Sequence, residues 1–160
     1  MKKMNYLTAV GITVGLLAGI WVFTSGLLGI PSFCGFLGWA TYFAIGKGKN
    51  GLLTAFSTNL SGVLWGLGSI WLMSLLPDGY WYLIVVIVAA ACMCWQANLK
   101  LLSFIPGTFI GNACFYATDT GFDLLAISFV GLGLVCGVGC GLASDYAARA
   151  ISTSKTETLA

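Results

Sequence analysis

The residues of this chain that could bind a solute are uncharged polar residues within apolar segments. Two asparagines, Asn59 and Asn112, stand within long apolar runs, and hydroxyl and amide residues lie near them in sequence. Amides and hydroxyls that line a narrow path replace the hydration of a small neutral molecule or a weakly hydrated ion. The candidate pore or substrate residues are Asn59, Asn112, Ser57, Thr58, Thr41, Tyr42, Thr108 and Tyr116, with Ser61 and Gln96 as further polar residues of the same kind. The alternative interpretation is that these side chains bond helix to helix.

Charged and metal-binding groups are scarce where chemistry would need them. No Asp, Glu, Lys or Arg lies in the middle of a predicted span, which argues against a proton-coupled mechanism. Histidine is absent, and Cys92-Met93-Cys94 has no second ligand pair, so we predict no metal site and no cofactor. The sequence contains no nucleophile–base pair, phosphate loop or carboxylate dyad, and we therefore expect no enzyme activity.

The composition is that of an integral membrane protein. Of the 160 residues, 59% are hydrophobic and only 8% are charged, whereas a soluble domain carries about a quarter charged residues. We predict a single membrane domain over 1–160, with a polar tail over 151–160 and the lipid bilayer as its surroundings. A net charge of +2 without a basic cluster gives no footprint for nucleic acid.

The apolar runs and the turn residues between them predict an all-α protein with six transmembrane helices. Pro31, the turn at 46–51 and Pro77-Asp78-Gly79 separate the first four runs, and the tyrosine-rich stretch at 80–82 is typical of a membrane interface. The predicted helices cover about 6–28, 32–45, 52–76, 80–98, 101–117 and 122–148.

The basic residues predict the orientation of these helices. With the N-terminus in the cytoplasm, six spans place all seven basic residues on the cytoplasmic side: Lys2, Lys3, Lys47, Lys49, Lys100, Arg149 and Lys155. The predicted outer turns carry only Asp78, Asp119 and Asp123. This distribution follows the positive-inside rule and predicts a bacterial inner-membrane protein with both termini cytoplasmic.

An internal repeat divides the chain into two units, about 6–76 and 80–148. A shift of 73 positions gives seven identities between residues 36–56 and 109–129. With a slip of two residues the match resumes, and Gly62, Gly66 and Gly68 correspond to Gly133, Gly137 and Gly139. Because each unit holds three helices, the second must cross the membrane in the opposite direction. The sequence thus predicts two inverted three-helix repeats, with the short segments 31–46 and 104–117 near the site.

Glycines spaced four residues apart predict close helix packing. The packing positions are Gly11, Gly15 and Gly19 on the first helix, Gly62 and Gly66 on the third, and Gly133, Gly137 and Gly141 on the sixth. Such stripes let another backbone approach closely in a bilayer. Six short helices leave little room for a wide passage in one subunit, so we also expect a homo-oligomer.

Two long stretches carry a resemblance to a known family. They are GWATYFAIGKGKNGLLTAFSTNLSGVLWG (38–66) and SFIPGTFIGNACFYATDTGFD (103–123). Through them the chain resembles the uncharacterised bacterial inner-membrane family that includes enterobacterial YcdZ, which implies a small multi-span inner-membrane protein. LTAFSTN (53–59) and PGTFIGNACF (106–115) are also similar to fluoride-channel motifs, in reverse chain order. We interpret that likeness as convergence.

These observations favour a channel or facilitator for a small neutral solute or small ion, without proton coupling. The rival hypothesis is a membrane scaffold or accessory subunit that transports nothing. The glycine stripes, which predict close helix packing, are consistent with it.

Overall fold

The computed structural model describes residues 4–46, 49–77 and 79–152, and this part of the chain is helical with no strand. Two short 3₁₀ helices, Gln96–Asn98 and Lys100–Leu102, connect α4 to α5. The six α-helices are α1 (Tyr6–Leu28), α2 (Ser32–Ile45), α3 (Lys49–Ser74), α4 (Trp81–Trp95), α5 (Ile105–Ala117) and α6 (Leu124–Ile151). Met4 and Ser152 form an isolated parallel bridge, so the two ends of the described chain lie side by side.

Helices α1 and α2 begin and end at the predicted residues because local signals define their ends. The Asn5 side chain accepts a hydrogen bond from the Leu7 amide at 3.2 Å and caps the first turn of α1. At the other end Gly29 adopts φ 70°, the left-handed conformation that commonly ends a helix. Pro31 then directly precedes α2.

The other four helices differ from the predicted ones at one or both ends, by one to four residues. Helix α3 begins at Lys49, so the turn predicted over 46–51 is wrong at its second half, while residues 47–48 lie outside the described residues. Helix α5 begins at Ile105 instead of position 101, with a proline in its first turn. Helix α6 continues to Ile151, three residues past the predicted end.

The bundle is organised around two tight helix pairs. Helix α2 packs along α6 and α5 packs along α3, while α1 lies against α6 and α4 against α3. Helices α3 and α6 also contact each other and join the pairs. The largest fully buried apolar side chains, Phe115, Leu134, Val130 and Val138, lie at these interfaces.

Glycine makes both tight pairs possible. A Cβ at Gly111 would overlap the carbonyl oxygen of Asn59, and one at Gly62 would overlap that of Thr108. In the other pair, a Cβ at Gly137 would overlap the carbonyl oxygen of Gly35. Backbones that approach this closely leave no room for any side chain at the contact.

The two pairs are built from corresponding contacts. Gly66 of α3 packs under the ring of Phe115, and Gly141 of α6 packs under the ring of Tyr42. Phe115 and Tyr42 are the residues that the 73-position shift matches. The contacts therefore match Gly66 with Gly141, one helical turn beyond the Gly66–Gly137 match predicted from the sequence.

Three helices in the described part of the chain are long and apolar enough to cross a membrane. They are α1 (Tyr6–Leu28), α4 together with the 3₁₀ helix that follows it (Trp81–Asn98), and α6 (Leu124–Ile151). Helix α2 is apolar but shorter, at 14 residues. Many large apolar side chains point outward from the bundle, among them Leu7, Leu16, Phe23, Leu64 and Ile87. Such a surface suits hydrocarbon, and the count of six spans stays a prediction.

Candidate functional site

Four of the predicted polar residues form a buried group where α2, α3 and α5 meet. Thr41, Thr58 and Thr108 are fully buried, and Asn59 is 1% exposed. We call these four residues the polar core. Gly107 of α5 lies directly against the Thr58 hydroxyl, so the lack of a side chain at position 107 brings α5 onto the polar part of α3.

In the side-chain amide of Asn59, the oxygen has a hydrogen-bond partner and the nitrogen has none among the described residues. Its Oδ1 accepts a hydrogen bond from the Thr41 hydroxyl at 3.1 Å. Its Nδ2 is buried and meets no hydrogen-bond partner among the described residues. A buried polar group without a partner costs about 1–3 kcal/mol, so such a group in a native structure calls for an explanation. A small molecule that can accept a hydrogen bond would satisfy it.

Gln96 adds a second polar group at the edge of the core. Its Oε1 accepts a hydrogen bond from Trp65 Nε1 at 3.0 Å. Its Nε2 donates to the Ser61 hydroxyl at 3.1 Å and to the Thr108 hydroxyl at 2.8 Å. Thr108 belongs to the polar core, so the two groups are continuous. Trp65 was not among the sequence candidates, since tryptophan in an apolar run predicts packing or an interface.

The remaining predicted residues lie elsewhere. Asn112 is half-buried and its amide donates to the Gly62 carbonyl at 3.5 Å, across the α3–α5 contact. Ser57 is half-buried on α3. Tyr116 is 45% exposed and packs edge-on to Phe115, outside the polar core. Tyr42 is buried but turns toward α6 instead.

Tyr42 belongs to a second polar cluster, built around Asp145 of α6. The Asp145 carboxylate accepts hydrogen bonds from the hydroxyls of Tyr6 and Tyr42, the latter at 3.2 Å. It also accepts from Arg149 Nε at 3.1 Å, one turn along the same helix. One carboxylate thereby connects α1, α2 and α6. We call Tyr6, Tyr42, Asp145 and Arg149 the carboxylate cluster.

Sequence reasoning missed this cluster. Asp145 is only 3% exposed, well inside the end of α6, so a charged residue does lie within the bundle. Neighbouring Ser144 is fully buried and accepts a hydrogen bond from Trp39 Nε1 at 3.1 Å. The spacing of Asp145 and Arg149, four residues apart on one helix, was the signal that could have indicated an ion pair.

The glycines divide into two groups. Gly62, Gly66, Gly133, Gly137 and Gly141 lie at helix contacts, where an added Cβ would meet a neighbouring helix. Gly11, Gly15 and Gly19 are exposed, and nothing lies within 4 Å of a Cβ placed at any of them. The α1 stripe therefore makes no contact within the described chain, and a packing role there needs a partner outside it.

The cysteines are free and lie mostly within the bundle. Cys34 of α2 and Cys114 of α5 are fully buried in the same apolar cluster. Cys92, Cys136 and Cys140 are partly buried and Cys94 is exposed. No group of three or more His, Cys, Asp or Glu side chains with the geometry of a metal site occurs in the ranges that the structure describes.

Comparisons with known proteins give the family. A family described as "Protein of unknown function (DUF1097)" matches residues 11–149. The chain is 41% identical to inner membrane protein YcdZ of Escherichia coli strain K12 over 139 residues, covering 84% of this chain and 83% of the relative. It is 40% identical to inner membrane protein YcdZ of Salmonella typhimurium strain LT2 over 162 residues, covering 96% and 100%.

A third relative is the uncharacterized protein YahC of Escherichia coli strain K12. It is 32% identical over 166 residues, covering 96% of this chain and 98% of the relative. No solved structure matches the chain. The resemblance predicted from residues 38–66 and 103–123 is confirmed, and together with the apolar helices it supports a location in the inner membrane. The chain belongs to the DUF1097 family.

Proposed function

We propose that this protein is a channel or facilitator for a small neutral solute or small ion, without proton coupling and without enzyme activity. The observation that carries the proposal is the buried, unpartnered Nδ2 group of Asn59. Thr41 bonds to Asn59, and Thr58 and Thr108 supply further buried hydroxyls on α3 and α5. A solute that shed its hydration would find replacement hydrogen bonds here.

Corresponding contacts in the two halves support an inverted repeat around this site. The α3–α5 pair and the α2–α6 pair use matching positions, with Gly111 against Asn59 in one and Gly38 against Leu134 in the other. In inverted-repeat transporters the site lies where the repeats meet. Asn59 and Leu134 therefore occupy corresponding positions in the two helix pairs, and of these two residues only Asn59 is polar.

The placement of charge supports a mechanism without proton coupling. All four residues of the polar core are neutral, and so are Gln96, Ser61 and Trp65. The buried carboxylate of Asp145 is hydrogen-bonded to two tyrosines and paired with Arg149. Asp145 therefore serves as a link between helices in this proposal, separate from the solute path.

We place the termini and the carboxylate cluster on the cytoplasmic side. The bridge between Met4 and Ser152 supports an arrangement in which both ends leave the same face of the membrane. The seven basic residues assign that face to the cytoplasm by the positive-inside rule. In this arrangement Lys100, which precedes α5, lies on the cytoplasmic side.

A scaffold or accessory subunit is the second candidate, and the exposed stripe of Gly11, Gly15 and Gly19 favours it. These glycines present a smooth face of α1 with nothing of the same chain against it. A second copy of the chain would be able to pack closely there, giving a homo-oligomer. Transport and assembly are compatible, so the two candidates differ in whether any solute passes.

Asn59→Leu tests the transport proposal. Leucine has a similar volume and removes the buried amide, so we expect a folded protein whose melting temperature in detergent is unchanged or slightly higher. Proteoliposomes are shrunk in hyperosmotic solutions of single solutes from a panel, and their reswelling is followed by light scattering. Passage measured for the wild type should fall to the level of empty vesicles in the variant.

The control is Asn98→Leu, which removes an exposed amide whose one hydrogen bond among the described residues goes to the Trp95 carbonyl. This variant should keep wild-type passage. If the wild type passes none of the solutes and no small ion in an electrode assay, the transport proposal fails and the scaffold candidate replaces it.

A further inference from the structure

An apolar groove lies between the second half of α3 and the start of α6. Its volume is about 520 Å³, within the range of about 300–1,000 Å³ that is usual for ligand sites. The groove is lined by Leu64, Leu67, Gly68, Trp71, Phe122 and Leu124. Among these six residues only the indole N–H of Trp71 is a polar side-chain group, so water in the groove would find too few hydrogen-bond partners to be held. A hydrocarbon chain is the chemistry that fits such a lining.

Gly68 keeps the groove open on the α3 side. Leu64 and Trp71, which precede and follow it on the same side of the helix, are large and are 66% and 57% exposed. Gly68 is exposed as well, and nothing lies within 4 Å of a Cβ placed on it. The described chain therefore leaves the space between Leu64 and Trp71 unfilled, and a large side chain at position 68 would occupy it.

The groove is continuous with an apolar surface that faces outward. Leu72 and Leu125, each next in sequence to a lining residue, are large and exposed, and so are Phe122 and Leu124 within the groove. Helix α6, which begins at Leu124, has the length and hydropathy of a membrane span. An exposed apolar patch of this kind marks a contact with the membrane or a ligand groove. Acyl chains that cover the surface reach the groove from the side.

The edge of the groove carries negative charge. Asp123 stands in sequence between the lining residues Phe122 and Leu124, and Asp119 belongs to the same loop; both aspartates are exposed. None of the seven basic residues lies between positions 50 and 99 or between 101 and 148. An acidic edge without a basic neighbour in sequence attracts an ammonium group and repels an anionic headgroup.

We propose that the groove binds one acyl chain of a zwitterionic phospholipid with an ammonium headgroup, of the phosphatidylethanolamine type, and that Asp123 lies at that headgroup. The predicted six spans place this site in the outer leaflet of the inner membrane. The groove residues are distinct from the polar core, so the inference does not depend on whether the protein transports a solute.

Gly68→Leu tests the groove, because leucine fills the space that the glycine leaves. The protein is purified from membranes in a mild detergent, and phospholipid bound to each protomer is counted by native mass spectrometry. The wild type should retain one phospholipid per protomer, and Gly68→Leu should fall to the background level. The matched control is Gly15→Leu, since Gly15 is also an exposed helix glycine with nothing within 4 Å of its Cβ and lies outside the groove.

Two results would overturn the groove as a lipid site. One is equal retention of phospholipid by Gly68→Leu and the wild type. The other is a wild-type dimer that Gly68→Leu converts to monomers without loss of lipid, which would show that a second copy of the chain covers the groove.

Asp123→Asn tests the headgroup. Its Oδ1 accepts hydrogen bonds from the amides of Leu125 at 2.9 Å and Ala126 at 3.3 Å, and asparagine caps a helix about as well as aspartate, so the fold should be kept. Delipidated protein is titrated at low ionic strength with phosphatidylethanolamine or phosphatidylglycerol of identical acyl chains. The wild type should bind the first about two- to fivefold more tightly, as one exposed charge pair allows, and Asp123→Asn should lose most of that preference. Equal binding of both lipids by the wild type would overturn the headgroup assignment.

Discussion

At the scale of single residues, Asp145 of α6 is a buried carboxylate that connects three helices. Its carboxylate bonds to Tyr6 of α1 and Tyr42 of α2, and Arg149 on α6 neutralises it. Thr41, the residue before Tyr42, bonds to Asn59 in the polar core. Two successive residues of α2 therefore link the carboxylate cluster to the candidate solute site.

Tyr42→Phe tests this link by removing only the tyrosine hydroxyl. The substitution removes a hydroxyl that donates to a buried carboxylate, a kind of hydrogen bond that contributes about 1.5–3 kcal/mol. We expect a lower melting temperature in detergent with the helical content unchanged. Tyr116→Phe is the matched control, because Tyr116 is 45% exposed and its loss of a hydroxyl should have no effect. Equal melting temperatures for both variants would contradict a structural role for the carboxylate cluster.

At the scale of helices, close packing depends on which glycines face a neighbour. Gly111 faces the backbone of α3, whereas Gly15 faces away from every described residue of the chain. Both glycines occur in patterns that predict packing, and only the helix pairing distinguishes them. The α3–α5 contact also determines the candidate site, since it brings Gly107 onto Thr58 and Thr108 onto Ser61.

The same substitution at the two positions should give opposite results. Gly111→Ala places a methyl group onto the Asn59 carbonyl, and overpacking of this kind typically costs about 1–3 kcal/mol. Gly15→Ala meets nothing within 4 Å and replaces a poor helix former, so the protomer should be as stable as the wild type or slightly more so. Thermal unfolding in detergent compares the two. Size-exclusion chromatography with light scattering shows whether Gly15→Ala alters a homo-oligomer, which would identify the α1 stripe as its interface.

At the scale of the whole molecule, the arrangement in the membrane is a prediction that combines charge with connectivity. The two ends of the described chain meet at Met4 and Ser152, as an even number of crossings requires. Three helices satisfy the length and hydropathy expected of a span, while α2 and α5 have 14 and 13 residues. Short helices of this kind, in corresponding positions of two repeats, are typical of transporter sites.

Labelling of introduced cysteines tests the topology. Lys100 and Asp119 are exposed and lie at opposite ends of α5, so six spans place them on opposite sides of the membrane. In a variant whose native cysteines are replaced, Asp119→Cys should react with an impermeant thiol reagent in intact cells. Lys100→Cys should react only after the membrane is permeabilised. Reaction of Lys100→Cys from outside would disprove the six-span arrangement and the inverted repeat.

The sequence alone determined the features that depend on neighbours along the chain. Asn5, Gly29 and Pro31 define the ends of α1 and α2 locally, and the apolar composition determines the membrane environment. Two long family stretches were enough to identify the relatives. Thr41, Thr58, Thr108 and Asn59 were candidates by residue type alone, and their burial did not follow from the sequence.

Only the tertiary structure decided which helix faces meet. It brought Gln96 onto Trp65, Ser61 and Thr108, residues up to 35 positions away, and it buried Asp145 against Tyr6 from the opposite end of the chain. It also turned the α1 glycines outward and moved the match of α3 with α6 by one turn. The physical reason is that an almost wholly apolar helix has no polar side to orient it. Its facing direction is then decided by which glycine contacts and buried hydrogen bonds form between helices.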